Sequence, residues 1–283
     1  MEHWLPYALA TGILFGLQTV YIKKLSRLFG QYMVMAALFL FAALMFVPFL
    51  NHFYISDIPA FLLWSGASFL INIFAFSLLY TSLKEAPVSM VAPFFNLTPL
   101  FIIFTGVLVV DEHLDAGQVL GIVVILAGAF LLQFNEMRVY ISQGHFSRNL
   151  KSILLAVFVS FLWSFTATME KRALLVSNGF SYGFSINLLL GLYFGGRVVL
   201  QKGDSLMVIT RNKSLLVLGI ISGAMAIVQY QAILLQKVGP VIAYKRAGVI
   251  ISIIYGLFFL KEKAGYYRIL GAVAIIAGGF LLA

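Results

Sequence analysis

Gly121-Ile-Val-Val-Ile-Leu-Ala-Gly-Ala-Phe-Leu-Leu132 returns, slightly altered, as Gly271-Ala-Val-Ala-Ile-Ile-Ala-Gly-Gly-Phe-Leu-Leu282. The copy extends upstream: Asp111-Glu112 aligns with Lys261-Glu262, and Pro87 with Pro240 across one short gap. More loosely, Phe15-Gly16 and Lys23-Lys24 match Trp163-Ser164 and Lys171-Arg172 in spacing. A long internal copy in so apolar a chain points to a duplicated helical membrane protein, whose working site lies where the halves face each other.

Composition names the solvent. Hydrophobic residues make up 62% of the 283 residues and charged residues 10%, with a mean hydropathy of +1.01. A soluble chain of this length needs far more polar surface. The net charge of +9 is spread over short connectors, with no basic stretch interleaved with aromatics, so no nucleic-acid partner is expected. Cysteine is absent, which excludes disulfides and thiolate sites. The N-terminal Met-Glu-His-Trp carries no basic n-region, so the first apolar segment reads as a retained span.

Runs of predominantly apolar residues long enough to cross a bilayer occur at 4–22, 31–50, 58–82, 86–110, 116–133, 151–170, 180–200, 214–236, 239–260 and 265–282. They are continuously apolar, without the period-2 alternation of a barrel. The expected fold is therefore all-α and integral to the membrane, with ten transmembrane helices in two five-helix repeats: residues 1–134, a connecting loop 135–150, and 151–283. Five is odd, so the second repeat enters from the opposite side and the repeats are inverted. Of the 19 lysines and arginines, Lys171, Arg172 and Lys237 follow even-numbered spans and Lys245 and Arg246 lie within the ninth. All the others follow odd-numbered spans, which puts those connectors in the cytoplasm and both termini outside.

Lys245 and Arg246 are the sharpest chemical signal. Lys245 lies about 9 Å inside the nearer end of its span, and Arg246 roughly 5 Å from its midpoint, at the rise of an α-helix. Each charge costs roughly 2.5–3.5 kcal/mol to insert. Snorkelling is the bland reading, but adjacent residues point about 100° apart and cannot both escape. The functional reading is a cationic clamp for an anion, since Arg suits bidentate carboxylate or phosphate recognition. Glu85, Asp111, Glu112, Glu170 and Glu262 all read as span ends, so the pair has no protein counter-ion and a ligand supplies the negative charge. The same absence of a buried carboxylate or His relay argues against proton coupling and for facilitated diffusion or exchange.

Pro87, Pro93, Asn96 and Pro99 pattern the fourth span; Pro93 and Pro99 are expected to kink it where it lines a cavity, or simply for structure. The repeat alignment sets Ala92-Pro93 opposite Lys245-Arg246 and Asn96 opposite Val249. Gln18, Trp163, Gln229, Tyr230 and Tyr244 are the mid-span residues placed with Asn96, Lys245 and Arg246 in the candidate substrate site; Asn72, Thr166, Asn187, Gln231 and Tyr255 are further polar or aromatic positions. Trp4 and Tyr266-Tyr267 read as interfacial aromatics. Gly12/Gly16, Gly117/Gly121, Gly191/Gly195 and Gly219/Gly223 form GxxxG pairs that let helices approach closely, within the bundle or at a dimer face. No catalytic or metal-ligand constellation is present, and no cofactor is expected. The four histidines lie in termini or connectors.

The run Pro99…Asp111-Glu112…Gln118-Val-Leu-Gly121…Ile-Leu-Ala-Gly128 resembles the signature of EamA-type transporters of the drug/metabolite transporter superfamily. Glu262…Gly271…Ala277-Gly278 repeats its latter part, and Trp163-Ser164 looks like that family's Trp-Gly opening of a repeat. The resemblance implies a ten-helix inverted-repeat carrier with a central cavity, alternating access and export of small metabolites. Its members commonly keep their termini cytoplasmic, against the charge count here. The second repeat lacks a counterpart of Pro99. The Lys245-Arg246 pair is similar to the ninth-helix pair of triose-phosphate and nucleotide-sugar translocators, which implies anion ligands; their fourth-helix lysine has no match in Val91-Ala-Pro-Phe-Phe-Asn96. The expected function is thus a secondary transporter, exporter or exchanger, of a small anionic metabolite in the cytoplasmic membrane, as a monomer or homodimer among lipids. The alternative is a flippase or carrier for a lipid-linked phosphate; an intramembrane enzyme is disfavoured.

Overall fold

The computed structural model describes residues 3–142, 149–201, 206–247 and 266–282. The helices are α1 (Leu5–Leu25), α2 (Gln31–Phe46), α3 (Ile58–Glu85), α4 (Val88–Phe95), α5 (Thr98–Thr105), α6 (Ala116–Ser142), α7 (Leu150–Leu175), α8 (Gly179–Leu200), α9 (Leu206–Arg211), α10 (Lys213–Leu235), α11 (Val238–Ala247) and α12 (Tyr266–Leu282). Among the described residues eight helical stretches are long and apolar enough to cross a membrane, and Ile269–Leu282 is a shorter apolar helix. Residues 248–260 of the expected ninth span, with Val249 and Tyr255, lie outside the described residues, as do Lys261, Glu262 and residues 143–148 of the connecting loop. α6 runs on to Ser142, well past the boundary expected at residue 134.

Local chemistry places the helix ends. Asp57 accepts the Ala60 N–H at 3.0 Å and Pro59 sits in the first turn of α3. Asn178 and Asn212 cap α8 and α10 in the same way. At the start of α6, Asp115 and Gln118 exchange side-chain-to-backbone bonds as a capping box. The fourth span breaks between Phe95 and Thr98, with Pro93 inside α4 and Pro99 in the first turn of α5. The carbonyl of Phe94 next to the break accepts the Leu97 N–H at 3.2 Å and the Ser160 hydroxyl at 2.6 Å, so a neighbouring helix helps to satisfy the opened backbone.

The two halves cross rather than stand side by side. α1 packs on α10 while its sequence equivalent, α7, packs on α3; α2 lies along α8, and α6 along α12. The duplicated run packs on its own copy. A Cβ on Gly121 would lie 2.9 Å from the Gly278 carbonyl oxygen, and one on Gly128 2.7 Å from that of Gly271. Because Gly121 corresponds to Gly271 and Gly128 to Gly278, this contact is reciprocal and the two helices are antiparallel. Gly191, Gly219 and Gly223 likewise admit α2, whereas Gly16 has nothing near it.

The loose correspondence near the start of each half has a physical counterpart. The Lys23 ammonium donates to the carbonyls of Leu83 and Ala86, at the end of α3. The Lys171 ammonium donates to those of Ile233 and Gln236, at the end of α10. Each lysine neutralises the negative end of the third long helix of its own half, α3 or α10. Outward, Leu62, Phe74, Phe104, Leu108, Leu192 and Phe280 stand exposed, as a lipid-facing surface requires. Trp4 differs from its expected interfacial place: it is buried, edge-on to Tyr244 at 5.0 Å.

Candidate functional site

A cavity of about 110 Å³ lies where the halves meet, bordered by α1, α2, α3, α5, α7, α8, α10 and α11. Lys245 and Arg246, 9% and 4% exposed, both border it, so neither snorkels to a surface. The Lys245 Nζ sits 4.7 Å from the Phe15 ring centre and the Arg246 Cζ 4.5 Å from it, with Trp163 5.9 Å from the guanidinium. Aromatic faces are negative, and in a desolvated site such a contact is worth about 2 kcal/mol. That attraction answers part of the cost of holding adjacent cations in an apolar span.

Among the described residues Arg246 is hydrogen-bonded at one corner only. Its Nη2 donates to Thr98 Oγ1 at 3.0 Å, from the first turn of α5 just past the proline break. Its Nε and Nη1 are buried without a hydrogen-bond partner among the described residues. A guanidinium cannot shed its charge and has only donors, so these N–H groups await an acceptor.

Lys245 is different, and here the expectation of an acid-free site is corrected. Its Nζ donates to Gln229 Oε1 at 2.6 Å, and Gln229 Nε2 donates to both Glu170 carboxylate oxygens, at 3.1 and 3.4 Å. Glu170 is buried and borders the same cavity. The sequence misplaced it because Lys171 and Arg172 looked like the membrane edge. In fact α7 continues to Leu175, Lys171 is buried on the α10 carbonyls, and Arg172 Nε donates to the Val109 carbonyl at 2.6 Å. Both basic residues are thus satisfied by protein carbonyls near the end of α7, Lys171 buried and Arg172 half-buried, while Glu170 beside them turns into the cavity. The case against proton coupling rested on the lack of a buried carboxylate, and it falls with that premise.

Of the other expected site residues, Gln18, Trp163, Gln229 and Tyr230 border the cavity. Gln18 Nε2 donates to Ser222 Oγ at 2.8 Å, and Tyr230 lies edge-on to Tyr182 at 5.2 Å between centroids. Asn96 and Tyr244 do not border it. Asn96 closes α4 at the break, its backbone N–H on the Pro93 carbonyl at 3.1 Å. Tyr244 turns to α12, donating to the Gly279 carbonyl at 2.6 Å. Neighbours in sequence thus face different ways, because successive side chains on a helix diverge by about 100°. Phe15 and Thr98 border the cavity and touch Arg246, and sequence reading passed over both. Both are common residues in membrane helices, and only their contact with Arg246 distinguishes them.

At one rim of the bundle the Glu112 carboxylate accepts the Val238 N–H at 2.8 Å and lies 3.9 Å from the Lys171 ammonium. It ties the α5–α6 connector to the start of α11. Burial pushes its pKa above the usual 4.5, against the opposing pull of the Val238 N–H, Lys171 and Lys237.

The model of the EamA-like transporter family matches residues 3–134 and again 150–283, once over each half. The chain belongs to the EamA-like transporter family. As a member it is a multi-pass integral membrane protein of a transporter family. No curated protein matches the chain. Chains of solved structures do, 28 of them. One crystal structure, 16% identical, superposes with a TM-score of 0.71 over 99% of this chain and 96% of its own length. At that identity the likeness is one of fold.

Proposed function

We propose that this EamA-like protein is a secondary carrier, an exporter or exchanger, that moves a small anionic metabolite by alternating access, with Arg246 as its first ligand. One observation carries the reading: a buried guanidinium in the central cavity with Nε and Nη1 unpartnered among the described residues. Leaving charged donors unsatisfied in a low-dielectric interior costs several kcal/mol. A transporter recovers that cost when its substrate arrives, and intramembrane charge marks substrate pathways generally. Lys245, held to Glu170 through Gln229, supports the ligand from behind rather than gripping it alone. A cavity of about 110 Å³ favours a small solute over a lipid-linked phosphate.

The architecture we infer is ten spans in two inverted five-helix repeats, 1–134 and 151–283. The antiparallel reciprocal glycine contact supports it, since equivalent helices related that way share a pseudo-twofold axis across their length. The paired lysine caps support it independently. Rocking the two halves about the cavity would expose Arg246 to each side in turn. By loop charge the termini lie outside a cytoplasmic membrane.

The test is counterflow in proteoliposomes with a panel of labelled carboxylates and phosphates. Arg246→Ala should lose at least about tenfold in transport of the accepted anion, as expected for removing charge-assisted bonds, and Arg246→Lys should recover part of it. Undiminished transport by both variants would reject the reading.

A further inference from the structure

Charge counting at the cavity restricts the solute beyond "anion". Among the described residues that border it, only Glu170, Lys245 and Arg246 carry charge. The Gln229 amide bridges the first two, its carbonyl on the ammonium and its NH2 on the carboxylate. Whether the relay stores its proton on the amine or on the carboxyl, its two ends sum to zero. Arg246 therefore leaves the cavity with one net positive charge. A monoanion balances that charge, whereas a dianion leaves a surplus negative charge facing Glu170 in a region where like charges interact strongly.

The rest of the wall has a consistent chemistry. Phe15 and Phe76 each meet the Trp163 ring edge-on at 5.9 Å, and Phe39 meets Phe76 at 4.8 Å. Leu38, Ile186 and Leu190 continue the apolar surface. Phosphate sites are built from several cations and backbone N–H groups. This site instead offers one free guanidinium at the edge of an aromatic wall, the combination that suits a planar carboxylate on an apolar body.

We propose that the carried solute is a monocarboxylate with an apolar, aryl-sized body, its carboxylate on Arg246 Nε and Nη1 and its body against Phe15, Phe76 and Trp163. Glu170 is then the specificity determinant that rejects dianions. This rests on the anion-carrier reading above and narrows it.

The full-length protein in nanodiscs, at about pH 7.5 where carboxylic acids are ionised, is titrated by thermal shift and intrinsic tryptophan fluorescence. The matched probes are 3-phenylpropionate, its amide, and benzylmalonate, which adds a second carboxylate to the same body. Phenylalanine and glucose 6-phosphate complete the set. Wild type should bind 3-phenylpropionate at least about tenfold tighter than each of the others, the ratio for a charge pair worth about 1.4 kcal/mol. Glu170→Gln should raise benzylmalonate affinity relative to 3-phenylpropionate by about tenfold or more. Equal binding of the two acids by wild type overturns the proposal without needing any variant, as does an unchanged ratio in Glu170→Gln. Preference for glucose 6-phosphate, or for zwitterionic phenylalanine, overturns the substrate class; with glucose 6-phosphate the anion carrier still stands. Failure of every probe to bind overturns the proposal, and continued anion counterflow by the same preparation would then leave the carrier reading intact.

Discussion

Gln229→Leu isolates the relay from everything else in the cavity. Leucine fills nearly the same space but removes the amide that receives Lys245 at 2.6 Å and donates to Glu170 at 3.1 Å. Each bond involves a group able to carry full charge, and such bonds contribute about 1.5–3 kcal/mol each. The substitution also leaves the ammonium and the carboxylate buried without the bridge. Breaking a buried pair this way costs about 3–5 kcal/mol. A loss of at least 3 kcal/mol is therefore expected in reversible SDS-titration or steric-trapping measurements of unfolding. The loss should belong to the stranded charges rather than to leucine itself. Adding Glu170→Leu and Lys245→Met to Gln229→Leu should accordingly recover most of it, because a neutral apolar triad carries no desolvation penalty. Gln229→Leu within about 0.5 kcal/mol of wild type would refute the relay. A triple variant no more stable than the single one would refute the charge argument.

Three further outcomes follow from contacts elsewhere. Gly128→Ala and Gly271→Ala each force a methyl to 2.7 Å from the partner's carbonyl oxygen and should destabilise the protein by about 1–3 kcal/mol, while Gly16→Ala, into open space, should be neutral or slightly stabilising; equal effects in the same unfolding assay would contradict the reciprocal helix contact. Lys23→Met and Lys171→Met should both destabilise, since each removes an ammonium from the carbonyls ending an equivalent helix, and Lys171→Met the more because its ammonium also faces Glu112; no loss in either variant would speak against the repeat correspondence. Burial raises the Glu112 pKa above 4.5, so folding favours its protonated form: stability relative to Glu112→Gln is highest below 4.5 and declines as pH rises through the raised value, then levels off. Paired melting curves from pH 4 to 8 should show the wild type losing ground to the Gln variant on going up in pH, and a gain instead would reverse the sign of the argument.

How much of the site could be read in advance depended on the kind of information needed. Depth along a span is one-dimensional, and it marked Lys245 and Arg246 as anomalous charges. Azimuth was hidden, because helices apolar on every side show no stripe to identify the inward face. Tyr244, adjacent to Lys245, was thus assigned to a cavity it turns away from. Asn96 was judged by polarity alone, although the break at Pro93 and Pro99 already gave its backbone a local role. Glu170 was lost for a third reason: the basic residues following it imitated a membrane boundary while their side chains were absorbed by helix-end carbonyls and by Val109.

By itself the sequence determined that this chain lives in a bilayer, that it is a duplicated helical protein, and that two adjacent cations lie in an apolar stretch, while its motifs resembled those of the EamA type. The first three follow from transfer free energies and from repetition, both of which add up along the chain without reference to partners. Only the tertiary structure decided that one cation is answered by Glu170 through Gln229 while the other stands open beneath Phe15 and Trp163. Glu170 lies in α7, Gln229 in α10 and Lys245 in α11, so the electrostatic balance of the cavity is a product of packing. Charges far apart along the second half acquire their meaning when its helices pack so that one glutamine bridges them, in a medium too apolar to screen them.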